Sequence, residues 1–286
     1  MILVLGARGQ VGSAISGLLK GKCIGWDSAT ADLSSPESIA RALEGVSPSA
    51  IINAAAYTQV DKAETERALA MAVNATAPGI LAAWCAKRGI PFVHYSTDYV
   101  FDGSGALPRD EAASPHPLNI YGESKLAGEK AVAAAGGKYL IFRTSWVYDE
   151  TGQNFLNTML RLGAEREELR VVADQHGAPT YAGHLAAATL KALEIPNFTP
   201  GIYHLCNGGE TTWHGFAESI FANARQHGQS LAVKRVIPIT SAEYPTPAVR
   251  PLNSRLSCLK AKELLGLAMP AWQEGLNACM EKKYGN

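Results

Sequence analysis

The sequence predicts an α/β protein: a Rossmann-type doubly wound parallel sheet with a smaller mixed α/β lobe. Short apolar runs alternate with longer amphipathic ones over the first 145 residues, the pattern of parallel strands covered by helices. The first run opens into Gly6-Ala7-Arg8-Gly9-Gln10-Val11-Gly12, and the second closes on Asp27, about twenty residues after that turn.

Strands are expected at Ile2-Leu5, Lys22-Trp26, Ala50-Asn53, Pro91-Ser96 and Tyr139-Ser145. Ser34-Ser35-Pro36-Glu37 supplies a cap hydroxyl, an early proline and a first-turn acid for one helix, while Gly89 and Gly136-Gly137 end two others. Beyond residue 150 the rhythm loosens. Helices are expected over 154–168, 184–193 and 213–226, and strands at Leu169-Val172 and Ile202-Leu205. The proline-rich passage from Pro238 to Pro251 reads as a rigid loop, and helices resume at 258–265 and 269–280. The expected division is a dinucleotide-binding domain over 1–149 with about 183–222, and a substrate lobe over about 150–182 with 223–286.

Composition narrows the function. The 286 residues are 47% hydrophobic, with 26 basic and 26 acidic side chains, so neither a nucleic-acid surface nor a membrane patch is expected. No uninterrupted apolar run of spanning length stands out, and no basic leader follows Met1. The five cysteines lack metal-ligand or disulfide spacing, which points to a reducing, cytoplasmic setting and to no metal site.

Right-handed crossovers bring the loops after strands one and four to the same sheet edge. There, Gly6, Gly9 and Gly12 would let a pyrophosphate approach a helix N-terminus. Asp27 would accept hydrogen bonds from ribose hydroxyls or, alternatively, cap its own turn. Its charge favours NADH over NADPH, with Arg8 keeping the second open. Asp32-Leu33 would border an adenine, and the alanines after Asn53 would leave room for a dinucleotide. Ser96 and Thr97 leave strand four as hydroxyls facing that edge, Asp98 reads equally as a turn residue or a substrate contact, and His94 is given no role. Tyr121 and Lys125 follow on a helix, four residues apart and therefore on one face. An ammonium there would stabilise a phenolate and turn Tyr121 into a usable general acid for carbonyl reduction.

The motifs HYSTDYVFDG (94–103), PLNIYGESKLAGE (117–129), FRTSWVY (142–148) and YPTPAVRPLNSRL (244–256), with NAAAYTQVDKAE (53–64), DQHGAPT (174–180) and YHLCNGGETTW (203–213), resemble those of the dTDP-4-dehydrorhamnose reductase family of extended short-chain dehydrogenases/reductases. The resemblance covers nearly the whole chain. It implies NAD(P)H-dependent reduction of the 4-keto group of a nucleotide sugar. It also implies Gly9, Gln10, Val11, Asp27, Asp32, Leu33, Ala56, Tyr57 and Thr58 beside the dinucleotide, with Lys125 on the nicotinamide ribose. Tyr121 is the implied proton donor, with Thr97 beside the keto oxygen. Thr97, Asp98 and Trp146 are implied contacts to the sugar nucleotide, and Gln175, Arg250 and Asn253 line its nucleotide side. Some relatives carry an acid just after the third glycine and bind magnesium at a dimer interface. Ser13-Ala14 stand here, which argues against magnesium and that pairing, while a homodimer stays open.

Two rival readings come from the same fold. Dehydratases resemble STDEVYG after strand four, and here Tyr99 occupies the position of their glutamate, which disfavours water elimination; a reductase or epimerase acting on another nucleotide sugar stays open. The regulatory subunit of methionine adenosyltransferase also resembles this family and binds a dinucleotide as a partner protein. The intact Thr97, Tyr121 and Lys125 set favours an enzyme.

Overall fold

The computed structural model describes residues 1–285. Strands β1 (Ile2–Leu5), β2 (Cys23–Trp26), β3 (Ala50–Asn53), β4 (Phe92–Thr97) and β5 (Tyr139–Thr144), with a sixth at Gly201–His204, form one parallel sheet. The order is β2-β1-β3-β4-β5 and then Gly201–His204, so β1 lies between β2 and β3 at the point where the order reverses. Ligands collect at the carboxyl edge beside such a point.

Both faces of the sheet are covered, which is why its strands read as continuous apolar runs. On one face Val4, Ile52, Val93, Leu140 and Phe142 pack with Ile15, Leu185 and Leu265; on the other Leu3, Ile51, Phe92 and Ile141 pack with Ile39, Leu81 and Val132. Helix α1 (Gln10–Leu19) leaves the glycine turn, and α2 (Pro36–Leu43) is capped by the Ser35 hydroxyl, with Pro36 at its first position.

Helices α3 (Val60–Ala63), α4 (Arg67–Met71) and α5 (Ala77–Arg88) follow β3, and a π-helical turn, Ala72–Thr76, joins the last two. Arg67–Arg88 is thereby one continuous 22-residue helix, apolar and long enough by composition to span a membrane. Asn74 and Thr76 interrupt its apolar sequence, so it is not an uninterrupted apolar run. Its apolar face is spent on the core, where Ala77, Leu81, Ala82 and Cys85 pack against the sheet.

Helix α6 (Ile120–Ala135) carries the Tyr-Lys pair, and its N-terminus is fixed by the Asn119 side chain, which accepts from the Gly122 N–H at 2.8 Å. The lobe has its own core. Helices Phe155–Glu165, Trp213–Gln226 and Trp272–Tyr284 bury Leu156, Phe216, Ile220, Leu276 and Met280 together beside a parallel pair, Glu168–Val172 with Arg235–Ile239. This packing puts Trp213–Gln226 with the lobe and Leu259–Leu265 with the sheet.

Candidate active site

The glycine turn fits the dinucleotide expected there. Gly6 has φ +71°, and a Cβ on it would come within 2.6 Å of the Ala55 nitrogen; a Cβ on Gly12 would stand 2.1 Å from the Gly6 carbonyl oxygen. Only bare backbone fits both positions, which leaves N–H groups open to an anion at the head of α1. Gly6, Asp27, Asp32, Leu33 and Ala56 line a small cavity of 180 Å³ next to this turn. Gly9 caps α1 and Val11 packs into the core, whereas the Gln10 side chain accepts from Asn154 Nδ2 at 3.0 Å and so points to the lobe.

Asp27 caps its own turn and pairs with Arg8. One oxygen accepts from the Ala29 and Thr30 N–H groups, each at 3.1 Å, and the other pairs with Arg8 at 2.9 Å. The Thr30 N–H, and after it Arg8, hold its carboxyl below the usual range. Tyr57 is fixed at three points: Asn74 accepts from its N–H at 2.8 Å and donates to its carbonyl at 3.0 Å, and its hydroxyl donates to Glu66 at 2.6 Å. The same Asn74 amide donates to Ser124 Oγ at 3.0 Å, and Ser124 donates to the Tyr121 carbonyl at 2.7 Å. Asn74, only 1% exposed, thus ties the loop of Tyr57 and Thr58 to α6 from a π-helical turn.

At the end of β4, the Thr97 hydroxyl donates to Asp98 Oδ1 at 3.0 Å and accepts from the Tyr99 N–H at 3.2 Å. Tyr99 meets Tyr121 edge to face at 5.6 Å between ring centroids. Asp98 is 2% exposed, with Oδ2 buried and unbonded. Burial raises its carboxyl to about 6, against the opposing pull of the nearby Ser254 and Thr97 hydroxyls.

Burial, and then the Asp98 charge, raise the Tyr121 phenol to about 12, with a hydrogen bond to Thr97 opposing them. The sequence suggested the reverse direction, through Lys125. The ammonium of that lysine, 2% exposed, donates instead to the Tyr95 carbonyl, and burial lowers it to about 8 against the pull of Glu129. Dehydration of the ring therefore outweighs any help from the lysine in the protein by itself. Behind this pair, Glu129 accepts from Ser96 Oγ at 2.5 Å and from Arg143 Nε and Nη2 at 2.8 and 2.7 Å, all of it buried.

The sequence model of the family described as the RmlD substrate binding domain matches residues 1–284. The dTDP-4-dehydrorhamnose reductase of Burkholderia thailandensis is 47% identical, over 98% of this chain and 97% of that protein. The chain belongs to the dTDP-4-dehydrorhamnose reductase family. The reductase of Escherichia coli strain K12 is 44% identical over 99% of this chain and 98% of its own. The crystal structure of a Bacillus anthracis dTDP-4-dehydrorhamnose reductase in complex with NADP superposes with a TM-score of 0.90, at 37% identity and 98% coverage of both chains.

A cleft of 1140 Å³ runs from Tyr99 and Arg250 along Trp213 and Gln175 to Arg166. Trp146 stands against its wall, stacked on Trp213. Gln175 lines the cleft and donates to Ser241 Oγ at 3.0 Å. Arg250 also lines it, with its guanidinium forked onto Asp61 at 2.9 and 2.8 Å. Asn253 faces elsewhere: its amide donates to the Leu107 carbonyl at 3.0 Å and holds the 104–107 loop.

Sequence reasoning missed Asn74, Glu129, Arg143 and Trp213. Charged or amide side chains inside apolar runs, VNAT and IFRT, were a usable signal for Asn74 and Arg143, because such groups are buried only when partnered. Trp213 gave none, since an aromatic residue at a helix start is ordinary.

Proposed function

We propose that this chain reduces the 4-keto group of dTDP-4-dehydro-L-rhamnose to give dTDP-L-rhamnose, with NADH or NADPH. Membership of the family supports the reaction. The observation that carries it to these residues is the convergence of buried Thr97 and Asp98 with half-buried Tyr121 at the end of β4, on the parallel sheet whose first strand runs into the glycine turn.

The nicotinamide cofactor, when bound, supplies the hydride to C4. Gly6, Gly9, Gly12, Asp27, Asp32, Leu33, Ala56, Tyr57 and Thr58 would hold it, and Lys125 would bond its ribose. Arg8 already neutralises Asp27 and is 86% exposed, so the carboxylate that would repel a 2′-phosphate is masked. Both cofactors are accordingly usable. Tyr121, raised to about 12, is fully protonated at neutral pH, as a donor must be before the keto oxygen gains charge. Thr97 and Tyr121 present hydroxyls to that oxygen, and stabilisation grows as charge builds on it. Asp98, Trp146, Gln175 and Arg250 meet the sugar nucleotide, with Asn253 bracing the loop behind them. We place the reaction in the cytoplasm, in keeping with five free cysteines.

The test is direct: purified protein is given enzymatically made 4-keto sugar nucleotide and each cofactor in turn, and the nicotinamide absorbance is followed. Stoichiometric loss of absorbance with formation of dTDP-L-rhamnose is expected. No consumption with either cofactor would overturn the reading.

A further inference from the structure

Among the described residues, Trp146 is one of three that are not glycine and have positive φ, at +49°. A bulky side chain adopts that conformation only where its surroundings over-determine it. Two neighbours do so here. Gly177 lies under the indole so closely that a Cβ on it would stand 2.8 Å from Trp146 Cε2. The Trp213 indole also stacks on it, at 3.8 Å between centroids and 14° between planes.

Trp213 is mounted rigidly. It begins the helix Trp213–Gln226, whose first turn is capped by the Thr212 hydroxyl accepting from the Gly215 N–H at 3.1 Å, and whose body is fixed by buried Phe216, Ile220 and Phe221. Phe155 packs beside its ring at 4.6 Å. Its Nε1–H donates to Gln175 Oε1 at 3.0 Å, and Gln175 Nε2 donates in turn to Ser241, which bonds Asp174. One side chain thus touches two groups assigned to the sugar nucleotide, one through its ring and one through its N–H, while lining the cleft itself.

We propose that Trp213 is a positioning residue for sugar-nucleotide recognition, setting the plane of the Trp146 indole and the direction of the Gln175 amide together. The inference rests on the reductase reading above and adds a residue to it. Stacked aromatic pairs interact beyond their area of contact, so losing one ring releases the other. The strain at Trp146 then has only the Gly177 side to hold it, and the indole is free to leave the orientation in which it meets the sugar.

The test compares wild type, Trp213→Ala, Trp213→Phe and Trp146→Phe. In Trp213→Ala the KM for the 4-keto sugar nucleotide should rise at least ~tenfold, while kcat stays within ~threefold and the NADPH dissociation constant within ~twofold. Trp213→Phe, which keeps a stacking ring but loses the N–H, should recover most of that rise. The double variant Trp146→Phe/Trp213→Ala should be little worse than its weaker single parent, because the two residues act as a unit. Stacked indoles also give coupled near-ultraviolet circular dichroism, which should change when wild type is titrated with dTDP-L-rhamnose and should be lost in each single variant. If wild type is active and Trp213→Ala has an unchanged KM, or loses kcat and cofactor affinity in equal measure, the inference fails alone. If wild type is inactive, the reductase reading fails and the inference with it. Should the alanine variant not fold, Trp213→Phe and the wild-type titration decide: an unaltered dichroism signal on ligand binding overturns the proposal.

Discussion

The sheet edge under Tyr121 and the cleft wall in the lobe are built by opposite means. At the edge, Lys125, Glu129, Arg143 and Asn74 are polar, no more than 2% exposed and bonded to one another or to backbone. Along the cleft, the defining contacts are an aromatic stack, an amide bridge and an ion pair whose partners are 23% and 40% exposed. Chemistry needs groups held to a fraction of an ångström, and a dehydrated, extensively bonded network provides that at the expense of tolerance to change. Recognition of a large ligand can be shared among weaker contacts, each of which is replaceable. Substitutions at the edge should therefore have large, narrow effects and those along the cleft small, graded ones.

The largest effect tests the chemical half. Tyr121→Phe removes the hydroxyl proposed as proton donor and leaves ring packing against Tyr99, so turnover should fall by about 10²–10⁴, with cofactor affinity nearly unchanged by fluorescence titration. A loss below tenfold would remove Tyr121 from the reaction.

The next concerns the network behind it. Glu129→Gln leaves the Arg143 guanidinium buried without its carboxylate, and breaking one member of such a pair destabilises by about 3–5 kcal/mol. The paired replacement Glu129→Leu with Arg143→Met should cost less than either single change, since no charge is left unpaired. Urea denaturation measures all three. If the singles cost under about 1 kcal/mol, the range of hydrated surface pairs, the edge is no stiffer than the cleft and the contrast collapses.

A good part of the edge was legible in the sequence, and the reason is geometrical. Buried parallel strands leave continuous apolar runs, a glycine turn must follow the first of them, and Tyr121 and Lys125 must share a helical face. Each of these is a local relation. What was not legible depends on partners distant in the chain. Asn74 acts on Tyr57 and Ser124, 17 and 50 residues away, from a π-helical turn that has no hydrophobic period of its own. Some ladders of the lobe are only two residues long, as in His176–Gly177 with Thr211–Thr212, too short to give an alternation. The direction of the Tyr121 shift was missed for a related cause: helical spacing places the ammonium near the phenol, but only the fold shows that a backbone carbonyl of β4 takes it.

Asp98 offers a subtler test of the edge. Its carboxyl, raised by burial to about 6 from an ordinary 3.8, binds a proton more tightly folded than unfolded. Its contribution is thus most favourable below about 4 and is lost as the pH rises through 6. Asp98→Asn removes that dependence. The variant should melt close to wild type at pH 4 and above it at pH 7, while turnover falls because the sugar loses a contact. A difference in melting temperature that is constant between those pH values would mean that Asp98 is hydrated and not part of the dry edge.

The smallest effect belongs to Asp61 and tests the cleft half. Its carboxylate accepts the Arg250 fork and, at 3.2 Å, the Ala248 N–H, while the neighbouring Val249 carbonyl accepts from Asn119 at the cap of α6. Because both ion-pair partners are hydrated, Asp61→Asn should cost only about 0.2–1 kcal/mol of stability, and less at high salt. It also frees a guanidinium that already lines the cleft. If Arg250 meets the diphosphate, KM for the sugar nucleotide should fall slightly at low ionic strength, with the advantage vanishing as salt screens the added charge. A rise in KM above ~tenfold would show instead that this loop must be held as rigidly as the catalytic helix it touches, and the division between a fixed edge and an adaptable cleft would have to be moved outward to include it.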